Sequence, residues 1–185
     1  MADVSKWQKI SETYQKVGWR SLTTKLFTDP SGKQQTFVTW NRPDQKNAAV
    51  IALTKDTKIV IARQFRQGPE NVLWELPGGE VGESEEPGAA ALRELHEETG
   101  YTTDKPLTYL GEACRDCYRA DTTHYYLAHD CYKADEPHPD AGEYVETELI
   151  PIAQLINNAR TNKMSDGVAV LLAYDELLSL EKEAI

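Results

Sequence analysis

The chain has 185 residues, 40% of them hydrophobic and 27% charged, which fits one globular domain with an added N-terminal layer and excludes a disordered chain. A formal net charge of −10 and a sequence pI near 4.9 exclude nonspecific binding to nucleic acid, which needs a positive surface, and no apolar run approaches the ~20 residues that span a bilayer. The segment Met1 to Ile10 carries no apolar signal core, and three cysteines (Cys114, Cys117 and Cys131) form an odd set that fits reduced thiols, so the expected location is the cytoplasm. The acidity leaves room for a small anionic substrate, because a bound divalent cation inverts the local field.

In chain order, Val4 to Gln15 reads as a short helix or an extended arm. Gly18 to Phe27, with Trp19, Leu22, Leu26 and Phe27, reads as a strand. Asp29-Pro30-Ser31-Gly32 is a turn signal, since proline presets φ and glycine accepts positive φ. Gln35 to Asn41 returns as a second strand, so residues 18–41 are expected to form a hairpin. Ala48 to Leu53 and Lys58 to Gln64 are β-rich segments around a turn at Asp56. Asn71 to Leu76 is a further strand, broken by Pro77-Gly78-Gly79. Ser84 to Thr99 is the clearest helix, with Ser84 as N-cap, Glu85 and Glu86 in the positive first turn, and Gly100 at its end. Leu107 to Ala113 and Thr123 to Tyr132 read as strands, Lys133 to Gly142 as an acidic loop, and Tyr144 to Ile150 as a last strand. Ile152 to Arg160 and Asp166 to Leu180 are amphipathic helices. Strands joined mostly by short turns predict an α+β arrangement, an α/β/α sandwich in place of a doubly wound sheet.

Within the central helix, Glu94, Glu97 and Glu98 stand at i, i+3 and i+4, so three carboxylates share one face. Like charges at that spacing repel, and the C-terminal end of a helix favours cations. Three such glutamates alone read equally as a solvated acidic face. Hard oxygen ligands around Mg²⁺ or Mn²⁺ would relieve both conflicts. Arg93 reaches Glu97 at i+4 and is placed to orient it.

The longer pattern is more specific. Gly79 is followed after five residues by Glu85, then after seven by Arg93-Glu94-Leu95-His96-Glu97-Glu98-Thr99-Gly100-Tyr101. This resembles the Nudix box of nucleoside diphosphate hydrolases. The resemblance implies a Nudix fold, an α/β/α sandwich with a mixed sheet. It makes Glu94 and Glu98 metal ligands, joined by Glu97 and the backbone carbonyl of Gly78, with Mg²⁺ as the expected ion and Mn²⁺ as its substitute. Glu85 and Arg93 are then the pair that ties loop to helix. The implied chemistry is attack of water on a pyrophosphate phosphorus.

Further stretches are similar to the ADP-ribose pyrophosphatase branch: Gln64-Phe65-Arg66, Leu73-Trp74-Glu75-Leu76-Pro77, Gly18-Trp19-Arg20 through Lys33, and Gly142-Glu143-Tyr144. By that similarity Arg66 contacts substrate phosphate, with Glu75 and Arg115 among the substrate-binding residues. Trp19 and Phe37 sandwich the base, and Glu143 activates or places the water, with Asp140 and Glu136 as substitutes. The similarity also implies a homodimer in which residues 1–45 form an arm and hairpin for dimerisation and base binding, while residues 46–185 form the hydrolase domain. Other readings stay open: Trp19 and Phe37 as packing, Glu143 as a surface acid, Arg66 as an ion-pair partner. One departure bears on specificity, since Asp116 stands where this branch usually has a proline, within Cys114-Arg115-Asp116-Cys117-Tyr118-Arg119. A dinucleoside polyphosphate hydrolase and a noncatalytic ligand-binding module are the alternatives. Zinc on Cys114, Cys117 and Cys131 with His124 or His129 has only half of the usual spacing.

Overall fold

The computed structural model describes residues 5–18, 20–139, 142 and 144–183. They fall into two compact units, Met1–Gln45 with Cys114–Thr122, and Lys46–Ala113 with Thr123–Ile185.

The first unit is an antiparallel sheet of β1 (Gln8–Val17), β2 (Arg20–Thr28) and β3 (Gln34–Trp40), in that order. The uncertain stretch at Val4–Gln15 is therefore extended over its described part, paired along nearly the whole of β2, and the expected hairpin is a three-stranded sheet. Asp29 organises the turn between β2 and β3. Its Oδ1 accepts the amides of Ser31 (2.9 Å) and Lys33 (3.0 Å) and the Ser31 hydroxyl (2.6 Å), while Oδ2 accepts from Gln35 Nε2 (2.8 Å). Residues 114–122 run beside the end of β3, where the Trp40 amide donates to Tyr118 O (2.8 Å) and the Ala120 amide to Trp40 O (2.9 Å). Among its described residues, the buried ones in this unit are Thr23, Asn41 and Asp121, all polar. Thr23 Oγ1 donates to Asn41 O at 2.6 Å, and Arg119 grips Asp121 through Nε (3.1 Å) and Nη2 (2.5 Å).

The second unit is built on an eight-stranded sheet. Its path runs from β11 (Val145–Pro151) through β5 (Lys58–Arg66), β4 (Lys46–Thr54) and β10 (Thr122–Lys133) to β8 (Tyr101–Thr102). Three strands pair off that path: β6 (Asn71–Glu75) on β5, β7 (Gly78–Glu80) on β4, and β9 (Thr108–Ala113) on β10. The period of two along β4 divides the core. Ala49, Ile51 and Leu53 join a cluster with Leu155, Ile156, Val170 and Leu177, whereas Ala48, Val50 and Ala52 join one with Ala90, Ala91 and Leu95. Helix α1 (Pro87–Thr99) thus covers one face, and α2 (Ile152–Arg160), α3 (Gly167–Leu172) and α4 (Tyr174–Glu183) cover the other. Both faces of β4 are covered, which is why it reads as an unbroken apolar run. The α+β sandwich expected from the sequence is the architecture found. No helix among the described residues is long and apolar enough to cross a membrane.

Four local differences have physical reasons. The break expected at Pro77-Gly78-Gly79 instead carries β7: Gly78 lies against Ala49 so closely that a Cβ would collide with the β4 backbone, and only glycine fits there. The helix expected from Ser84 begins at Pro87, because a proline drives the residue before it to extended geometry, and Glu86 is extended (φ −77°, ψ 138°). Tyr101–Thr102, read as part of no element, forms the short edge strand β8 against Tyr132 and Lys133. The helix expected over Asp166–Leu180 is divided at Ala173 (φ −97°, ψ 7°) into α3 and α4.

Helix α1 ends on Gly100, left-handed at φ 72°, whose amide donates to His96 O (2.8 Å) and whose carbonyl accepts the amides of Ala134 (2.8 Å) and Asp135 (3.2 Å). A Cβ there would collide with Asp135 O. Gly100→Ala is expected to cost more than ~2 kcal/mol, combining left-handed strain with that clash, and urea unfolding measures it.

Four hydrogen bonds, led by those of Ser31 and Gln35, hold the Asp29 carboxyl down at about 2, below its ordinary 3.8. A depressed carboxylate contributes stability that is present above the unfolded value and lost as pH falls through the folded one, here from about 4 to 2. A carbon-13 titration of the Asp29 carboxyl is expected to give a midpoint near 2; a midpoint near 3.8 refutes the turn network.

Candidate active site

The strand–loop–helix segment from β7 to Gly100 gathers acids around one guanidinium. Arg93 has five N–H donors in a fixed fork, and each has an acceptor. Nε and Nη2 clasp Glu85 (2.9 and 3.1 Å), Nη1 bridges Glu94 Oε1 (2.7 Å) and Glu97 Oε2 (2.9 Å), and Nη2 also meets Glu80 O (3.1 Å). Glu85 is held a second time by the Gly82 amide at 3.0 Å. This pins the loop of residues 81–86 to the helix it precedes. The charge-assisted bonds, led by that to Glu85, push the Arg93 pKa still higher, and Arg93 holds Glu85 below the ordinary carboxylate range.

Glu98 is almost fully buried (4% exposed), and its Oε2 accepts the Gly78 amide at 3.1 Å. Glu94 lies over Gly79, where any side chain would overlap its carboxylate. The two glycines therefore let β7 approach α1 closely enough for backbone to meet acid. Ala90 and Ala91, both fully buried, do the same for α1 against the sheet. The sequence brings together Gly78, Glu85, Arg93, Glu94, Glu97 and Glu98 as expected. As they lie, no three acidic, imidazole or thiolate groups among the described residues form a set able to hold a metal ion, since Arg93 Nη1 is hydrogen-bonded to both Glu94 and Glu97. The donors themselves are all hard oxygens, the chemistry that suits Mg²⁺ or Mn²⁺.

The acidic loop after β10 is tied to the same helix end, with the His138 amide donating to Glu97 O at 2.7 Å. Within it Glu136 is exposed and paired with Lys133 Nζ at 3.1 Å. The expected residues Glu143, Asp140 and Trp19 lie outside the described residues.

Arg66, at the end of β5, donates through Nε to Glu75 Oε2 at 2.5 Å. Glu75 is 2% exposed, and its other oxygen accepts Ser165 Oγ at 2.5 Å. Glu75 thus orients Arg66, a role that Gln64-Phe65-Arg66 and Leu73-Trp74-Glu75 do not reveal until β5 and β6 are paired. Ser165, outside every motif in the sequence, was missed; no local signal marks it.

In the first unit, Phe37 packs against Trp7 (5.9 Å between centroids) and Phe27 (6.0 Å) and is 44% exposed. Arg115 is exposed, whereas Arg119 is committed to Asp121. Burial opposes ionisation of Asp121, but its hydrogen bonds to Arg119 prevail and its pKa is lowered. Cys114 and Cys117 are exposed, while Cys131 is buried beneath α1 and its thiol is pushed up to about 12 by that burial, so it is a packing group.

A model of the NUDIX domain matches residues 43–171. The ADP-ribose pyrophosphatase of Bacillus subtilis (strain 168) is 31% identical over 139 residues, 74% of this chain and 73% of that protein. The ADP-sugar pyrophosphatase of Mus musculus is 28% identical over 156 residues, covering 75% of this chain and 70% of that one. A crystal structure of an ADP compounds hydrolase superposes with a TM-score of 0.76 over 97% of this chain and 98% of that one, at 17% identity, a likeness of fold. With the box residues all present, and Glu85, Glu94 and Glu97 gathered around Arg93, the chain belongs to the Nudix family and is a pyrophosphohydrolase acting on acid anhydrides.

Proposed function

We propose that the chain hydrolyses the pyrophosphate bond of a nucleoside diphosphate sugar such as ADP-ribose, releasing a nucleoside monophosphate and a sugar phosphate, with Mg²⁺ as cofactor. The observation that carries the reading is the five-bond Arg93 hub, which holds Glu97 together with Glu94, the latter lying against Gly79 of β7. The names of the Bacillus subtilis and mouse relatives support the substrate class.

Glu94, Glu97, Glu98 and the Gly78 carbonyl would hold the ion, with Glu94 and Glu97 turning from Arg93 toward it. Bound there, a divalent ion neutralises diphosphate charge and acidifies water. Arg93 and Glu85 keep the loop and helix in one geometry. Arg66 meets a phosphate, and its terminal nitrogens suit that because among the described residues it is engaged through Nε. Phe37 and Trp19 offer faces to a base, and Arg115 meets a phosphate or a sugar hydroxyl. Glu143 places the water, with the loop held at its Glu97 anchor.

A homodimer fits the first unit. Its described buried residues are polar, while Ile10, Tyr14, Val17, Val38 and Trp40 are all more than two-fifths exposed. A sheet with so little buried apolar surface is marginal alone and gains stability from a second copy. Cytoplasmic location and the absence of nucleic-acid or membrane partners complete the reading.

The test is a panel of ADP-ribose, other sugar nucleotides and dinucleoside polyphosphates with Mg²⁺, read as phosphate released by a coupled phosphatase. ADP-ribose or another nucleoside diphosphate sugar is expected to turn over fastest; preference for a dinucleoside polyphosphate refutes the substrate class. Glu94→Gln and Glu98→Gln are each expected to lower turnover on the order of 100-fold or more, and unchanged rates in both overturn the metal assignment.

Arg93→Lys keeps the charge but supplies one ammonium where five directed donors are needed. It is expected to weaken Mg²⁺ affinity by roughly 10- to 100-fold, as loss of groups that orient metal ligands does, and a metal titration of activity measures it.

A further inference from the structure

We infer that Ser165 is a positioning residue for substrate phosphate, acting through Glu75 on Arg66. The inference rests on the phosphate contact proposed for Arg66. Ser165 Oγ donates to Glu75 Oε1 (2.5 Å), and Glu75 Oε2 accepts Arg66 Nε (2.5 Å), so one buried carboxylate joins the hydroxyl to the guanidinium.

Each link is fixed from behind. The loop that bears Ser165 is anchored at Lys163, whose amide donates to Asn158 O of α2 (2.9 Å) and whose carbonyl accepts the Trp74 amide of β6 (3.1 Å). The residue after Ser165, Asp166, is 2% exposed. Glu75 lies between, paired in register with Ala62 of β5. Arg66 is the outer end of the series, its side chain 41% exposed.

The chemistry follows from how a guanidinium reads an anion. A long side chain free in solvent loses rotamer freedom when it grips a phosphate. Glu75 removes part of that freedom beforehand by taking Nε, while the side chain keeps 41% of its surface exposed. Glu75 does so only in the rotamer that Ser165 selects. A serine has one proton, and the shorter contact gives it to Glu75; Asp166 Oδ2, at 3.0 Å from the same oxygen, is the competing acceptor. Without the hydroxyl, Glu75 Oε1 loses the donor it has among the described residues, and the carboxylate is less held in the position that aims Arg66.

The experiment uses the full chain with Mg²⁺ and four variants: Ser165→Ala, Ser165→Thr, Arg66→Ala and the Ser165→Ala/Arg66→Ala double. Readouts are kcat and KM for ADP-ribose, the Kd of inorganic pyrophosphate by calorimetry, and the thermal midpoint. Ser165→Ala is expected to raise KM and the pyrophosphate Kd roughly 5-fold, the net worth of one hydrogen bond, with kcat within about twofold and the midpoint unchanged. Ser165→Thr restores both constants. In the Arg66→Ala background, Ser165→Ala has no further effect, since the pair acts as one unit. Equal effects of Ser165→Ala in both backgrounds, a lowered midpoint as its only effect, or failure of threonine to restore affinity overturns the relay. If Arg66→Ala weakens pyrophosphate binding and Ser165→Ala does not, the relay alone is wrong. If Arg66→Ala changes nothing, the phosphate contact is wrong and the relay with it. If ADP-ribose is not hydrolysed, the proposed substrate falls, and pyrophosphate binding still decides the relay.

Discussion

Crowded negative charge at the end of one helix is the constraint from which the rest of the structure follows. Glu94, Glu97 and Glu98 occupy adjacent positions on α1, and Glu85 and Glu80 are brought up beside them. Much of that charge is met by Arg93, whose planar fork satisfies three carboxylates and a carbonyl at once. A lysine would meet the charge without fixing directions. The loop from Val81 to Glu86 is held through Glu85, a half-buried anchor that is ionic and directional, and its position relative to α1 is set by the same bonds. The bond pair between Arg93 and Glu85 therefore sets the loop against the helix, while Glu94 and Glu97 lean on the same guanidinium.

Close approach is the second requirement, and it is met by small residues. Gly78 and Gly79 admit β4 and the Glu94 carboxylate where a methyl group would not fit, and Ala90 and Ala91 let α1 settle on the sheet. The Glu98 carboxylate can then be buried and still hydrogen-bonded, taking the Gly78 amide. An unpaired carboxylate at 4% exposure would be costly. Glycine in β7 is thus tied to the burial of a carboxylate twenty positions later.

Much of this was legible in the sequence because it is local. The i, i+3, i+4 spacing needs only helical geometry, the Gly100 stop needs only the left-handed region, and the alternation along β4 follows from two covered faces. What was not legible depends on pairing across long separations. The Glu75 role emerges when β6 lies on β5 and the α2–α3 connection lies over both, bringing Ser165 to a residue ninety positions earlier. The capture of Arg119 by Asp121 two residues on is hidden in the sequence because side-chain direction in a turn is set by the backbone. The helix start expected at Ser84 is overruled by one residue, Pro87, despite acids well suited to a first helical turn.

The stitching of Tyr118 and Ala120 to Trp40 has a consequence for how such a chain can change over time. Two pieces far apart in the gene share one folded body, so a lengthening or shortening of the segment around Asp116 is also an edit to the rim of the amino-terminal sheet. Variation in either piece carries a compatibility requirement with the other, and grafting one alone from a cousin protein transplants half of a fitted pair.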